Sequence, residues 1–175
     1  PEGCAFQMST TFFSKPFEIY IEDIILVTVA TDMNDCLKRY ISSCKKFGFN
    51  PVVLGLGKPW NGGNMEKGPG GGQKIILLQE YLKTQNENKL IVFTDSYDVI
   101  CNNNINNLIN TYKKFYNNKI VFASENSCWP DKDLENLKPH VDKQNKYLNS
   151  GLFIGYINDI KNIIKKEIKS HEDDQ

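Results

Sequence analysis

Residues 24–30, IILVTVA, run apolar and β-branched with no polar alternation. A strand covered on both faces reads this way, whereas a strand with one wet face alternates. Residues 90–94, LIVFT, repeat the pattern. Each run is followed by helical periodicity: Leu37, Tyr40, Ile41 and Cys44 after the first, then Ile105, Leu108, Ile109 and Tyr112 after the second. Asp32 is placed to cap the first helix, expected to continue through about Phe47, and Gly48 stands where a left-handed C-terminal cap is wanted. Between these units lie a short run, VVLGLG, a glycine-rich stretch and the helix-like QKIILLQEYLKT; KIVFAS reads as a fourth strand. Further on, ENSCWPDKDLENLKP reads as loop, YLNSGLFIGY as a turn leading into a strand, and NDIKNIIKKEIK as a last amphipathic helix. Strands alternating with helices predict an α/β domain with a mainly parallel sheet and helices on both faces. Ligands of such sheets sit beyond the carboxyl ends of the strands.

The chain has 175 residues, enough for one domain with a single sizeable core. Lys plus Arg and Asp plus Glu are both 21, so no overall field gathers nucleic acid or an anionic membrane. No run approaches the roughly 18 apolar residues of a transmembrane helix. PEGCAFQMSTTFF has neither the basic start nor the apolar centre of a secretory signal. The chain opens on Pro1 and closes within the charged HEDDQ, and reads as a piece of a longer polypeptide. Five cysteines is an odd number, and Cys44 on the first helix face reads as a buried apolar thiol.

The second central strand ends in FTDSYDVI, with Asp95 and Asp98 three positions apart. In a flat strand they would point to opposite faces, so they converge only if the chain turns just after Phe93. Converging carboxylates repel one another, and a hard divalent cation with oxygen ligands relieves that repulsion. The alternative is a capping Asp95 beside a solvated Asp98. GPGGGQK matches neither the P-loop nor the dinucleotide fingerprint. It reads either as a flexible surface loop or as bare backbone that a ligand approaches closely, with Lys74 offering an ammonium to a phosphate. Trp60 and Trp129 are loop aromatics that either close over the core or stack on a flat ligand. Asp173 and Asp174 follow a basic helix as a solvated end, and His140 and His171 lack partners at metal-ligand spacing and read as surface residues.

Taken in order, VTVAT, LGLGKPWNGG, GGGQK, FTDSYDV, SENSCWPD, LNSGLFIGY and EDDQ make the chain from about Ile24 to Gln175 similar to the glycosyltransferase domain of the multifunctional procollagen lysyl hydroxylases. The resemblance implies a GT-A type, Rossmann-like domain over 24–175 that is incomplete at its C-terminus, with 1–23 an N-terminal extension. It implies a UDP-sugar donor, UDP-glucose or UDP-galactose, bound with Mn²⁺ or Mg²⁺, and transfer to hydroxylysine or galactosyl-hydroxylysine of a collagen-like acceptor. By position, Asp95 and Asp98 match metal-binding carboxylates, Tyr97 a uridine contact, and Thr31, Trp60 and Lys74 the nucleotide surroundings, with Lys74 on the diphosphate. Asp173 and Asp174 match the acidic cluster beside the donor sugar, where a catalytic role is expected, and Trp129 and Asn149 match the side where acceptor and sugar meet. The resemblance also implies a third metal ligand, a histidine, beyond Gln175, oligomerisation through regions outside this segment, and the endoplasmic reticulum lumen or secretory pathway. Two other readings stay open: a non-catalytic domain that binds nucleotide-sugar or scaffolds a lysyl hydroxylase, and a GT-A enzyme with a different acceptor.

Overall fold

The chain is described by a computed structural model over residues 19–64, 70–116, 119–129, 135 and 146–174. Strand β1 (Ile24–Val29) lies at the centre of the first half, parallel to both β2 (Val52–Leu54) and β3 (Leu90–Thr94). The helices that connect them are α1 (Asp35–Lys46) and α2 (Gly72–Leu82). After β3 come α3 (Ile105–Phe115), β4 (Val121–Glu125), β5 (Tyr147–Tyr156) and α4 (Ile157–Ile163). The sheet order is β2-β1-β3-β5-β4.

The double-sided burial predicted for the apolar runs is present, because successive residues of β1 and β3 feed two separate cores. Leu26, Leu90 and Val92 pack with Leu37, Tyr40 and Cys44 of α1 and Ile105, Ile109 and Tyr112 of α3. Val27, Val29, Ile91 and Phe93 pack on the other face with Leu77, Leu78 and Leu82 of α2 and Ile157 and Ile160 of α4. Cys44 is 1% exposed, as its helical position predicts, and among the described residues Cys36, Cys44, Cys101 and Cys128 carry free thiols.

Three local expectations change. Asn34, not Asp32, caps α1, its side chain accepting from the amide of Leu37 at 3.0 Å. Asp32 is held elsewhere: its N–H donates to the Tyr97 hydroxyl at 3.0 Å and its carbonyl accepts from the same hydroxyl at 3.2 Å. The α1 end follows expectation, with Phe47 as C-cap and Gly48 at φ 88°. YLNSGLFIGY is one unbroken strand, and it inserts antiparallel between β3 and β4. Four strands therefore share one direction and one opposes them, in a sheet that stays mainly parallel. Phe153 of β5 anchors the insertion, stacking on Phe93 with ring centroids 4.9 Å apart and packing on Phe122. The last helix is shorter than its sequence pattern, ending at Ile163.

Candidate functional site

The sequence order sends the chain from β1 outward to β2 and then back across to β3, so the carboxyl ends of β1 and β3 flank a switch point where an open α/β sheet leaves a crevice. A cavity of about 790 Å³ opens there. Thr31 enters it from the end of β1, Trp60 from the loop after β2, Lys74 from the first turn of α2, and Asp95, Tyr97 and Asp98 from the turn after β3. Six of the candidate residues read from the sequence thus share one wall.

The turn after Phe93 that convergence requires is present: β3 stops at Thr94 and the chain bends through residues 96–98. Its geometry is held from three sides. The amide of Asp95 donates to the Gly151 carbonyl at 2.8 Å, the buried Ser96 hydroxyl donates to the Val29 carbonyl at 3.2 Å, and the Tyr97 hydroxyl receives the amides of Thr31 and Asp32. Tyr97 therefore ties the loops after β1 and β3 together. Gly151 leaves room for Asp95, since a Cβ there would fall 2.6 Å from Oδ2 of Asp95 and displace that carboxylate. Asn149 reaches the same spot, its side-chain oxygen accepting from the Gly151 amide at 2.7 Å.

Lys74 is not a loose ammonium. Its side chain is only 7% exposed and its Nζ lies 2.5 Å from Oδ2 of Asp174 and 3.2 Å from Oδ1 of Asp95. Burial pulls the ammonium toward deprotonation, but the two carboxylates outweigh it and hold Lys74 above its ordinary value. Two carboxylates, Asp95 and Asp174, face one ammonium, which leaves a formal excess of one negative charge.

The glycine-rich stretch shows what its bare backbone admits. Among the described residues the chain's own segment 169–174 lies against Gly71 and Gly72. Gly71, at φ 97°, bridges Asp173 in antiparallel fashion, and a Cβ on it would fall 2.5 Å from Cγ of Asp174. The amides of Gly72 and Gln73 donate to the carbonyls of Glu172 and Ser170 at 2.8 and 2.9 Å. The orphan donors of the α2 N-terminus, an anion site when left open, are thereby satisfied by the chain itself.

Trp60 is 39% exposed, lies over Gly62, and donates from Nε1 to the Gly63 carbonyl at 2.7 Å. Trp129, exposed beyond β4, does not line the cavity. His171 is exposed and His140 lies outside the described residues. Sequence reasoning gave no role to Gln73, Ser96 or Gly151, because each acts through backbone groups far along the chain.

A family model described as PLOD GT domain matches residues 21–175. The chain is 38% identical over 159 residues to the multifunctional procollagen lysine hydroxylase and glycosyltransferase of Caenorhabditis elegans, covering 89% of this chain and 22% of that protein. It is 41% identical over 157 residues to the procollagen-lysine,2-oxoglutarate 5-dioxygenase of Drosophila melanogaster, covering 88% of this chain and 22% of that protein. An uncharacterised protein of Acanthamoeba polyphaga mimivirus is 40% identical over 153 residues, or 87% of this chain and 34% of its own length. The chain therefore spans between a fifth and about a third of these relatives. With the match running from Ile21 through the acidic segment that lies against the start of α2, the chain belongs to the PLOD GT domain family.

Proposed function

We propose that the domain transfers glucose or galactose from a UDP-sugar to hydroxylysine or galactosyl-hydroxylysine of a collagen-like protein, and that it does so with a divalent cation. The observation that carries this reading is the cavity at the carboxyl ends of β1 and β3, which gathers an aromatic wall, Trp60 and Tyr97, and the pair Asp95 and Asp98. The printed names of the worm and fly relatives, a hydroxylase that is also a glycosyltransferase and a lysine dioxygenase of procollagen, support the acceptor class.

The donor set fits a hard divalent ion such as Mn²⁺ or Mg²⁺. Among the described residues that line it, the cavity offers carboxylate oxygens from Asp95 and Asp98, the Asp95 side chain is 38% exposed, and two carboxylates face the one ammonium of Lys74. Asp95 and Asp98, which both line the cavity, would contribute to holding the ion. When bound, such an ion supplies charge neutralisation for a diphosphate leaving group.

The chain's own residues supply the rest. Trp60 presents a flat face to the uracil or ribose, and Tyr97 keeps the β1 and β3 loops in register around the nucleotide. Lys74 fixes the orientation of Asp95 from behind and adds positive potential toward the phosphates. Asp173 and Asp174 sit beside the donor sugar on the segment that covers α2, Asp174 as the partner that holds Lys74 in place. Asn149 steadies Gly151 under Asp95, and Trp129 belongs to the acceptor side.

The test is donor turnover with Mn²⁺ and a hydroxylysine-containing collagen peptide. Asp95→Asn is expected to lower the rate by about 10² to 10³, the usual loss when one well-placed charge is removed from such a site. An Asp95→Asn protein with full transferase activity would overturn the reading. Metal-dependent UDP binding with no transfer to any acceptor would point instead to a binding module.

A further inference from the structure

We propose that Gln73 is a positioning residue that clamps Trp60 against the donor cavity, an inference that rests on reading that cavity as the site of a nucleoside diphosphate. The Gln73 side chain is buried and faces the two backbone groups that flank Trp60. Its Oε1 accepts from the amide of Asn61 at 2.5 Å, and its Nε2 donates to the carbonyl of Pro59 at 2.9 Å. A carboxamide meets a carbonyl and an amide at once through two separate atoms; a carboxylate lacks the donor and an aliphatic chain lacks both.

The clamp explains how a loop aromatic can serve as a fixed wall. Residues 59–64 lie outside every strand and helix, and among the described residues the indole donates to the Gly63 carbonyl within the same loop. A Cβ on Gly62 would collide with the indole, so the loop is shaped around the ring but anchored elsewhere. The Gly71 amide holds the far side of the loop, donating to the Gly62 carbonyl at 2.9 Å, and Gln73 is the side-chain anchor on either side of Trp60 itself. It stands in the first turn of α2, next to Lys74, whose ammonium holds Asp95. One helical turn therefore sets both the aromatic wall and a carboxylate of the metal pair, and fixes the distance between the groups that would receive the base and the diphosphate. A base stacked on an aromatic ring gains binding only if the ring is already in place, because ordering it at the moment of binding subtracts from the gain.

The experiment uses UDP with Mn²⁺ as the probe and compares the parent chain with Gln73→Leu, Trp60→Ala and the double variant by calorimetry. Gln73→Glu, which keeps the acceptor and loses the donor, serves if the leucine variant does not fold. The expected result is a Kd for UDP raised about tenfold by either single change, the order expected for losing one base-stacking contact. In the double variant the loss equals that of Trp60→Ala alone, since the two residues act as one unit. In parallel, iodide quenching of the indole in a Trp129→Phe background reads Trp60 without ligand, and Gln73→Leu is expected to increase it. Unchanged UDP affinity in Gln73→Leu, or losses that add in the double variant, would overturn the proposal. If the parent chain binds no UDP, the nucleotide reading fails by itself. The quenching then decides the clamp, upheld by an increase and overturned by no change.

Discussion

Oδ2 of Asp174 lies 2.5 Å from Nζ of Lys74, with the two side chains 3% and 7% exposed. The contact joins α2 to the segment at residues 169–174 across a hundred positions of sequence. The third member, Asp95, is more than a third exposed at 3.2 Å, so water screens its share of the attraction and the buried contact dominates.

Removing the cation from this arrangement leaves a buried carboxylate without a partner. Lys74→Met is expected to lower stability by about 3 to 5 kcal/mol in urea denaturation. Asp174→Asn should cost less, because Lys74 keeps Asp95 as a counter-ion. The double variant Lys74→Met with Asp174→Leu should recover most of the loss. A Lys74→Met protein as stable as the parent would show that the pair is not closed in solution.

Stability should fall at alkaline pH, and the sign follows from groups whose protonated forms the fold favours. Lys74 is held above its ordinary 10.5, so its contribution is present below that value and is lost as pH rises through the raised one. Burial likewise pushes the Cys44 thiol from 9.0 to about 11, so its contribution declines across that interval. Tm is expected to be level up to about pH 9 and to drop above it, and Cys44→Ala should delay the onset of the drop without abolishing it. A Tm that stays level through pH 11 would contradict both assignments.

Gly72→Ala separates helix propensity from packing. In an exposed helix interior alanine is favoured over glycine by about 1 kcal/mol. Here a Cβ would run into the carbonyl of Lys169 and lie 3.1 Å from that of Glu172. The expected sign is therefore reversed, with a loss of about 1 to 3 kcal/mol from overpacking, read as a lower Tm and faster proteolysis near residue 170. A stabilised variant would mean that the segment over α2 yields easily.

The strands and helices were legible because burial leaves a local trace. IILVTVA and LIVFT lack alternation since helices cover both faces, and Leu37, Tyr40 and Cys44 repeat at the helical period since one face of α1 meets the sheet. The capping assignment failed at Asp32 for a reason outside its neighbourhood: the Tyr97 hydroxyl, 65 positions away, takes its backbone groups and leaves the cap to Asn34. The glycine stretch was equally ambiguous, since bare backbone reads the same whether a ligand or another part of the chain approaches it.

The sequence by itself determined the α/β class, the two-sided core, the turn after β3 and the residue types of the cavity, all of which are encoded within a few neighbouring positions. Only the tertiary structure decided that β5 inserts antiparallel, that Gln73 grips the backbone around Trp60, and that Lys74 is shared between Asp95 and Asp174. Those choices depend on hydrogen bonds and ion pairs between residues far apart in the chain, whose partners are chosen by where the packed helices bring them and leave no periodic mark in the sequence.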